Sequence, residues 1–282
     1  MLNKISQTIR SKSYFNFTSY LSVLPDHKKK IDYNFLCWFV GFTEGDGSFT
    51  SSFSKNTKNY RNFFLIVQKD PKVLYYIKNN LGFGLVSQRK DGYFTYYVGD
   101  QQNIERLIRI FNGNLVLQKV HSRFSKLFRS RRSKHFEKVK LIPFNTKFRE
   151  SFFEDAWLTG FIDAEGCFSI TWKKDKSKEY GSFQARVTIT QKNAFAFIVN
   201  LRKFFGLDFK KTNTKTQQFS IQKKTTLLEI VKYLKAFPLK SNKIISFKRW
   251  NRLVTFKESF KPPYSEKAKL KLFRLIKSIN NW

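Results

Sequence analysis

The stretch WFVGFTEGDGSF at residues 38–49 occurs a second time, with changes, as WLTGFIDAEGCF at residues 157–168. Aligned without gaps, the two copies share Trp, Gly, Phe, Gly and Phe at the same five positions, and two further positions are acidic in both. The second copy begins 119 residues after the first. Repetition at a fixed spacing indicates a duplicated unit of roughly 120 residues.

The repetition continues beyond these motifs. Gln68 opens QKDPKVLYYI and Gln191 opens QKNAFAFIVN, 123 residues further on. Lys119 ends NLVLQK and Lys243 ends PLKSNK, 124 residues further on, although PLKSNK also offers Lys240. Three matches in the same order favour duplication of a whole unit over chance similarity of a short string.

Hydrophobic periodicity predicts the same element order, α-β-β-α-β-β-α, in each unit. The first helix is expected from about residue 33 to residue 44, ended by Gly45 and Gly47. A strand with alternating apolar and polar residues should follow, as in Phe168, Ile170 and Trp172 of the second copy. The predicted fold class is α+β, with two antiparallel four-stranded sheets related by a pseudo-twofold axis.

One face of these strands is expected to be polar and partly cationic, and such a face suits a DNA groove. An ordinary solvated sheet face is the alternative. The first unit's second strand, RNFFLIV at residues 61–67, is apolar on both faces and weakens the DNA interpretation there. The candidate DNA-binding residues are Thr50, Ser52, Ser54, Ser169, Thr171, Lys173, Gln184, Arg186, Thr188 and Thr190.

The composition restricts the possible partners. The chain has 54 Lys and Arg against 20 Asp and Glu, a formal net charge of +34, which predicts a polyanionic partner such as nucleic acid or an anionic membrane surface. No apolar run approaches the length of about 18 residues that spans a membrane. The three His are scattered and no CxxC occurs, so zinc has no ligand set and any metal must be held by oxygen. Cys37 and Cys167 are expected to be buried or partly buried.

The repeated acids are the candidate chemical site. Gly41 and Gly160 lie within the two predicted motif helices, where glycine is unfavourable unless another backbone approaches closely. If the helices pack through these glycines, Asp46 and Glu165 emerge side by side at their ends. Two close carboxylates repel each other unless a cation neutralises them, and oxygen ligands favour Mg²⁺. A single such string would indicate only a polar turn, whereas its duplication favours a metal site.

FVGFTEGDG (39–47) and LTGFIDAEG (158–166) resemble the paired signatures of the LAGLIDADG homing endonuclease and intron maturase family in its single-chain, two-motif form. The resemblance covers about residues 33–257. It implies two antiparallel sheets that form a DNA-binding saddle, with the motif helices packed at its centre. Thr43, where the family usually has an apolar residue, and Gly45 depart from the namesake motif.

The resemblance also implies roles for individual residues. Asp46 and Glu165 would bind the catalytic Mg²⁺ or Mn²⁺, and Gln68 and Gln191 would position a metal-bound water. The earlier motif acids, Glu44 and Asp163, would be structural. Near the scissile phosphates the family has basic residues, which correspond here to Lys119 and Lys243.

The function implied is that of a monomeric, metal-dependent double-strand DNA endonuclease encoded by a mobile group I intron. It would cut a long asymmetric site and leave short 3′ overhangs. One alternative is an RNA maturase that binds its host intron, through surfaces such as Arg129, Arg131, Arg132 and the C-terminal helix. Another is a DNA-binding protein without catalysis. A membrane partner fits the charge but not the duplicated acids.

The domain prediction is a basic N-terminal extension at 1–30, a first half at 31–135, a linker at 136–152, a second half at 153–260 and a basic amphipathic C-terminal helix at 261–282. With 33 Phe and 12 Tyr against 6 Pro, the composition is typical of AT-rich organellar genes. The basic, acid-free first twenty residues resemble a mitochondrial import segment, but a disordered tail or a leader fused from an upstream exon is the preferred interpretation, and each of these favours an organellar, here mitochondrial, protein.

Overall fold

The computed structural model describes residues 14–54, 59–129, 139–147, 149–173, 181–207, 216–259 and 264–281. The chain divides into two compact units, Met1–Trp157 and Leu158–Trp282. Residues 136–138 and 148 of the predicted linker and most of the proposed import segment lie outside the described residues, as do Arg131 and Arg132. Within the described ranges, no helix is long and apolar enough to cross a membrane.

Within its described residues, the first unit has the predicted order of elements, with a short helix before it and a further helix after it. Its sheet is antiparallel, with the strands in the order β1-β2-β4-β3. The elements are α1 (Thr18–Leu21), α2 (Tyr33–Asp46), β1 (Gly47–Ser54), β2 (Asn59–Gln68), α3 (Lys72–Leu81), β3 (Leu85–Gln88), β4 (Phe94–Val98), α4 (Gln101–Phe111) and α5 (Gln118–Arg129).

Aromatic side chains fill the core of the first unit. The Phe49 ring on β1 lies 4.9 Å from Phe64 on β2 and 5.1 Å from Phe111 at the end of α4, measured between ring centroids. Trp38, Phe39 and Phe42 on α2 are at most 1% exposed. Since α2 is buried on nearly all sides, its motif can be almost entirely apolar without a polar face.

Over its described length, the segment before α2 packs as part of the first unit and is not a loose extension. Tyr20 is fully buried. The Asn114 side chain accepts from the Asn16 backbone N–H at 2.9 Å and donates to the Asn16 carbonyl at 2.8 Å. The Arg106 guanidinium donates to the Val23 carbonyl at 2.7 Å. These contacts anchor residues 14–30 to α4 and to the loop that follows it.

The second unit repeats the pattern. In the described residues its sheet has three antiparallel strands in the order β5-β6-β7, and residues 208–215, before β7, fall outside the description. The elements are α6 (Trp157–Glu165), β5 (Gly166–Lys173), β6 (Ser182–Lys192), α7 (Phe195–Phe204), β7 (Thr216–Ile221), α8 (Lys224–Ala236), α9 (Lys243–Ser259) and α10 (Glu266–Ser278). The α+β class with two antiparallel sheets is confirmed.

Each motif helix runs directly into a strand at a glycine. The prediction that Gly45 ends the first helix was wrong, because α2 continues to Asp46 and Gly47 is its C-cap. A Cβ atom on Gly47 would lie 2.8 Å from the Thr43 carbonyl oxygen, and one on Gly166 would lie 2.8 Å from that of Ile162. Only glycine fits this abrupt change of direction, which places the preceding acid at the end of the helix.

The C-terminal helix α10 covers the apolar side of the second sheet. Its Phe273 ring lies 5.7 Å from Trp172, and Tyr264, just before the helix, lies 5.5 Å from Phe183, measured between ring centroids. Arg249 on α9 donates to the Ser278 and Asn281 carbonyls at the helix end. The C-terminal helix therefore packs on the second half.

Candidate functional site

Asp46 and Gln68, both predicted from the sequence, meet in the first unit. Gln68 Nε2 donates to Asp46 Oδ2 at 2.7 Å. Gln68 continues the inward-facing series of Phe64 and Ile66 on β2, and Gly47 pairs with Ile66. Because α2 packs on that inward face and runs straight into β1, its terminal acid lies beside the end of β2. Asp46 is half-buried, so one carboxylate is both held in place and accessible.

The second unit repeats this register. Gly166 pairs with Ile189 as Gly47 pairs with Ile66, so Gln191 occupies the position on β6 that Gln68 occupies on β2. Glu165 ends α6 and is half-buried, and Gln191 is 3% exposed. Each unit therefore places an acid at a helix end and a glutamine at the equivalent strand end.

The earlier motif acid of the first unit is buried and fully engaged. Glu44 is 3% exposed. Its Oε1 accepts from the Val116 and Leu117 backbone N–H groups at 2.9 and 2.6 Å, and its Oε2 accepts from Trp157 Nε1 at 2.7 Å. Since those amides immediately precede α5, the carboxylate lies at a helix N-terminus, where negative charge is favoured.

Burial raises the pKa of Glu44 to about 7, and the hydrogen bonds from Leu117, Trp157 and Val116 oppose this rise. The folded-state pKa exceeds the ordinary value of 4.5. The contribution of this carboxyl group to stability is therefore fully present below about pH 4.5 and falls as the pH rises towards 7.

Asp163 has the same role in the second unit. It accepts from the backbone N–H groups of Lys240 and Ser241 at 2.7 and 3.1 Å, and also from the Ser241 hydroxyl. These groups immediately precede α9, and Asp163 is 3% exposed. Both earlier acids thus connect a motif helix to the start of a later helix of its unit, α5 or α9, and neither is an open metal ligand.

The anchored amides also bear on the choice between Lys240 and Lys243. Leu117 and Ser241 donate to equivalent acids and are 124 residues apart, so Lys119 and Lys243 stand at the same position, two residues later. Lys243 Nζ donates to the Ala164 carbonyl at 2.6 Å and to that of Ile162 at 3.3 Å. Its ammonium group therefore lies at the end of α6, beside Glu165, whereas the Lys240 side chain is exposed.

The strands of the second unit have the predicted two faces. Phe183, Ala185, Val187 and Ile189 on β6 are buried. The opposite face, here called the open face, is exposed or half-buried and carries the predicted residues Ser169, Thr171, Lys173, Gln184, Arg186, Thr188 and Thr190. Whether they contact DNA stays a prediction.

Further polar residues on the open face were not predicted. Gln218 and Gln222 flank Ser220 on and just after β7, and Gln184 Nε2 donates to Gln222 Oε1 at 2.6 Å. The alternation in TQQFSI was the available signal for this strand. Cys167 also lies on this face and is exposed, contrary to the expectation of a buried thiol, because it alternates with the buried Phe168; Cys37 is buried.

In the first unit, Thr50 and Ser52 lie on the corresponding open face, opposite Phe63 and Arg61 of β2. The Ser54 side chain lies outside the description. Gly41 and Gly160 are buried within α2 and α6, and their packing against each other stays a prediction.

The donor set of each acid suits a hard cation. In the part of the chain that is described, no group of three or more His, Cys, Asp or Glu residues could hold a metal. Asp46 and Gln68 offer carboxylate and amide oxygens, without a ring nitrogen or sulfur, which is the chemistry of Mg²⁺ or Mn²⁺ with waters or phosphate oxygens completing the shell.

Comparison with known proteins identifies the class to which this duplicated fold belongs. The sequence profile described as LAGLIDADG endonuclease matches residues 39–129 and 158–254, one match in each unit. The chain belongs to this family. Both matches include the motif acids and the glutamines described above.

Individual relatives agree with this assignment. A probable intron-encoded endonuclease 4 of Neurospora crassa is 34% identical over 78% of this chain, which spans only 39% of that relative's length. An uncharacterized cox1 intron-2 protein of Schizosaccharomyces pombe is 25% identical over 89% of this chain and 75% of its own. The solved structure of the meganuclease I-AabMI bound to uncleaved DNA has the same fold, with a TM-score of 0.71 at 18% identity over 88% of this chain and 99% of the other.

Proposed function

We propose that this protein is a site-specific double-strand DNA endonuclease encoded by a mobile group I intron. The single observation that carries the proposal is the Asp46–Gln68 pair, whose counterpart Glu165–Gln191 stands at the same register in the second unit. Two acids suit hydrolysis of one phosphodiester on each strand. The net charge of +34 suits a long polyanionic target.

In this mechanism Asp46 and Glu165 hold Mg²⁺ or Mn²⁺. The bound cation supplies charge neutralisation at the phosphate and lowers the pKa of a water molecule. Gln68 orients the Asp46 carboxylate through its hydrogen bond, and Gln191 stands at the equivalent strand position for the same role towards Glu165. Lys243 and Lys119 place positive charge where the phosphate accumulates negative charge during attack. Because the units differ in sequence, the target is asymmetric. The two cuts are proposed to leave short 3′ overhangs.

Replacing Lys243 by Met is expected to lower the cleavage rate by about 10²-fold, because a charged donor near the developing charge is lost. The matched control is Lys240→Met, which removes the same charge three residues earlier from an exposed side chain. Rates are measured in single-turnover cleavage of target plasmid. Equal losses in the two variants would reject Lys243 as the basic residue of the second unit's active site.

The sequence predicts that the motif helices α2 and α6 pack through Gly41 and Gly160. Gly160→Leu is then expected to lower the free energy of unfolding by about 1–3 kcal/mol and to reduce cleavage further, because the two acids separate. Thermal melting and cleavage below the melting temperature measure the two effects. Wild-type stability together with wild-type cleavage would mean that the helices do not meet at this glycine.

A second candidate function, assistance in splicing the host intron RNA, has support of its own. The RNA maturase bI4 of Saccharomyces cerevisiae is 27% identical over 73% of this chain, which spans 30% of that protein. On α10, Lys267, Lys271 and Arg274 form an exposed basic stripe. A gel-shift assay with the intron transcript tests this function separately from cleavage.

The AT-biased composition and the intron-encoded relatives support a mitochondrial location.

The test of the main proposal is cleavage of a plasmid that carries the intron-less exon junction. With Mg²⁺ the plasmid should be linearised at one site, and with Ca²⁺ it should be bound but not cut, because Ca²⁺ accepts looser coordination. Specific binding without cleavage in Mg²⁺ or Mn²⁺ would favour the non-catalytic DNA-binding alternative. Intron RNA binding without DNA cleavage would favour the maturase.

A further inference from the structure

The open face of the first unit carries an apolar row across three strands. Leu65 on β2 pairs with Tyr97 on β4, which pairs with Leu85 on β3. Leu85 is 57% exposed and Tyr97 36%, while Leu65 and the neighbouring Phe63 are half-buried. These four side chains are here called the apolar row. An exposed apolar cluster of this kind on a folded surface marks a binding site more often than chance.

The aromatic side chain at the centre of the row is held in place. The Tyr97 ring lies 5.9 Å from Phe63, measured between centroids. On its other side the ring lies over Gly99, where a Cβ atom would be 2.1 Å from Tyr97 Oη. Because the ring is positioned before any partner arrives, little rotamer entropy is lost on binding.

The second unit has polar residues at the same positions. By strand register, Phe63 corresponds to Arg186, and Leu65 and Tyr97 correspond to Thr188 and Ser220. A row of polar residues in one unit therefore replaces a row of apolar residues in the other. The difference lies in the chemistry of the contact, since the backbone positions match.

The surroundings of the row indicate its partner. Arg61 is exposed on the same face of β2, Thr50 lies opposite Phe63, and Lys90 is exposed in the loop between β3 and β4. A partner must therefore offer apolar groups close to negative charge. In the major groove of DNA, the thymine C5-methyl group is the apolar feature at the base edges, and phosphates flank it.

We propose that the first unit recognises its half-site mainly through thymine methyl groups, whereas the second unit reads hydrogen-bonding edges. This inference rests on the proposed endonuclease function and specifies how the target is selected. The half-site under the first unit should be rich in thymine at the positions that the apolar row covers, on either strand.

The test replaces thymine by deoxyuridine, which removes only the methyl group. The target duplex is selected from a random library with the full-length wild-type protein, and footprinting of a Phe63→Arg variant identifies the half-site of the first unit. Deoxyuridine throughout that half-site should weaken binding about fourfold for each methyl that the row buries. The same substitution in the other half-site should have a smaller effect.

The matched variant is Leu65→Thr with Tyr97→Ser. It replaces two residues of the apolar row by those that the second unit has at the same positions. Its binding should no longer distinguish thymine from deoxyuridine in that half-site. Leu85→Ser, at a more exposed position, should reduce the discrimination and serves if the double variant does not fold. Equal wild-type affinity for both duplexes would overturn the inference and leave the endonuclease proposal intact. Absence of any site-specific binding would overturn both the inference and the endonuclease proposal. A wild-type dimer that the double variant abolishes, with no preference for thymine, would instead assign the apolar row to self-association.

Discussion

Asp46→Asn or Glu165→Gln is expected to reduce double-strand cleavage on the order of a thousandfold, because each change removes a charged oxygen ligand from the proposed cation site. In Asp46→Asn, the new amide oxygen would still accept the hydrogen bond that Gln68 donates at 2.7 Å, so the local structure should survive. Since one acid serves each strand, slow nicking of a single strand is expected before the second cut. Linear and nicked plasmid are resolved on a gel over time.

Target binding by these two variants should stay within roughly tenfold of the wild type, because binding rests on many phosphate and base contacts. Asp91→Asn is the control, an exposed acid of the first unit that pairs with Arg89 at 2.9 Å. It should cut at the wild-type rate. Wild-type cutting by Asp46→Asn as well would remove Asp46 from the active site.

Glu44→Ala is expected to lower the free energy of unfolding by about 3–6 kcal/mol, the largest stability effect proposed for this chain. The change leaves two backbone N–H groups and the Trp157 indole N–H without the carboxylate that accepts from all three. Each buried donor without a partner costs about 1–3 kcal/mol. Urea unfolding followed by tryptophan fluorescence measures the loss.

The control for this stability prediction is Glu105→Ala, on α4 of the same unit. Glu105 pairs with Arg109 one helical turn away at 2.6 Å, and such pairs contribute at most about 1 kcal/mol. Asp163→Ala should resemble Glu44→Ala, because it removes the acceptor for Lys240 and Ser241. Unchanged stability in Glu44→Ala would contradict the anchoring role.

Much of the fold could be predicted because the sequence contains the same unit twice. The repeated motif predicted a helix followed by a strand in both units, and the alternation on β5 and β6 identified the buried face correctly. The matched spacing identified Gln68 and Gln191 as equivalent positions, and the family resemblance implied their role; the hydrogen bond from Gln68 to Asp46 was found only in the structure. Duplication makes such inferences possible, since a position that recurs in register must serve the same place in each unit.

Other features depended on contacts between distant residues. The end of α2 was misplaced at Gly45, because a glycine can continue a helix that packing stabilises on all sides. The burial of Tyr20 and the open-face position of Gln218 depend on α4 and β6, which lie far away in the chain. Short segments such as TQQFSI have too little periodicity to predict a strand by themselves.

Glu44 and Asp46 illustrate the division between sequence and tertiary structure. The amino-acid sequence was enough to establish that the unit is duplicated and that two acids lie at the end of each motif. The net charge of the chain predicted a polyanionic partner. The folded chain was needed to show that Glu44 is 3% exposed and accepts three hydrogen bonds, while Asp46 is half-buried beside Gln68. The two acids differ in this way because residues two apart along a helix differ by about 200° in direction. Glu44 therefore points into the interior of the unit. Asp46 points towards the end of β2, beside Gln68.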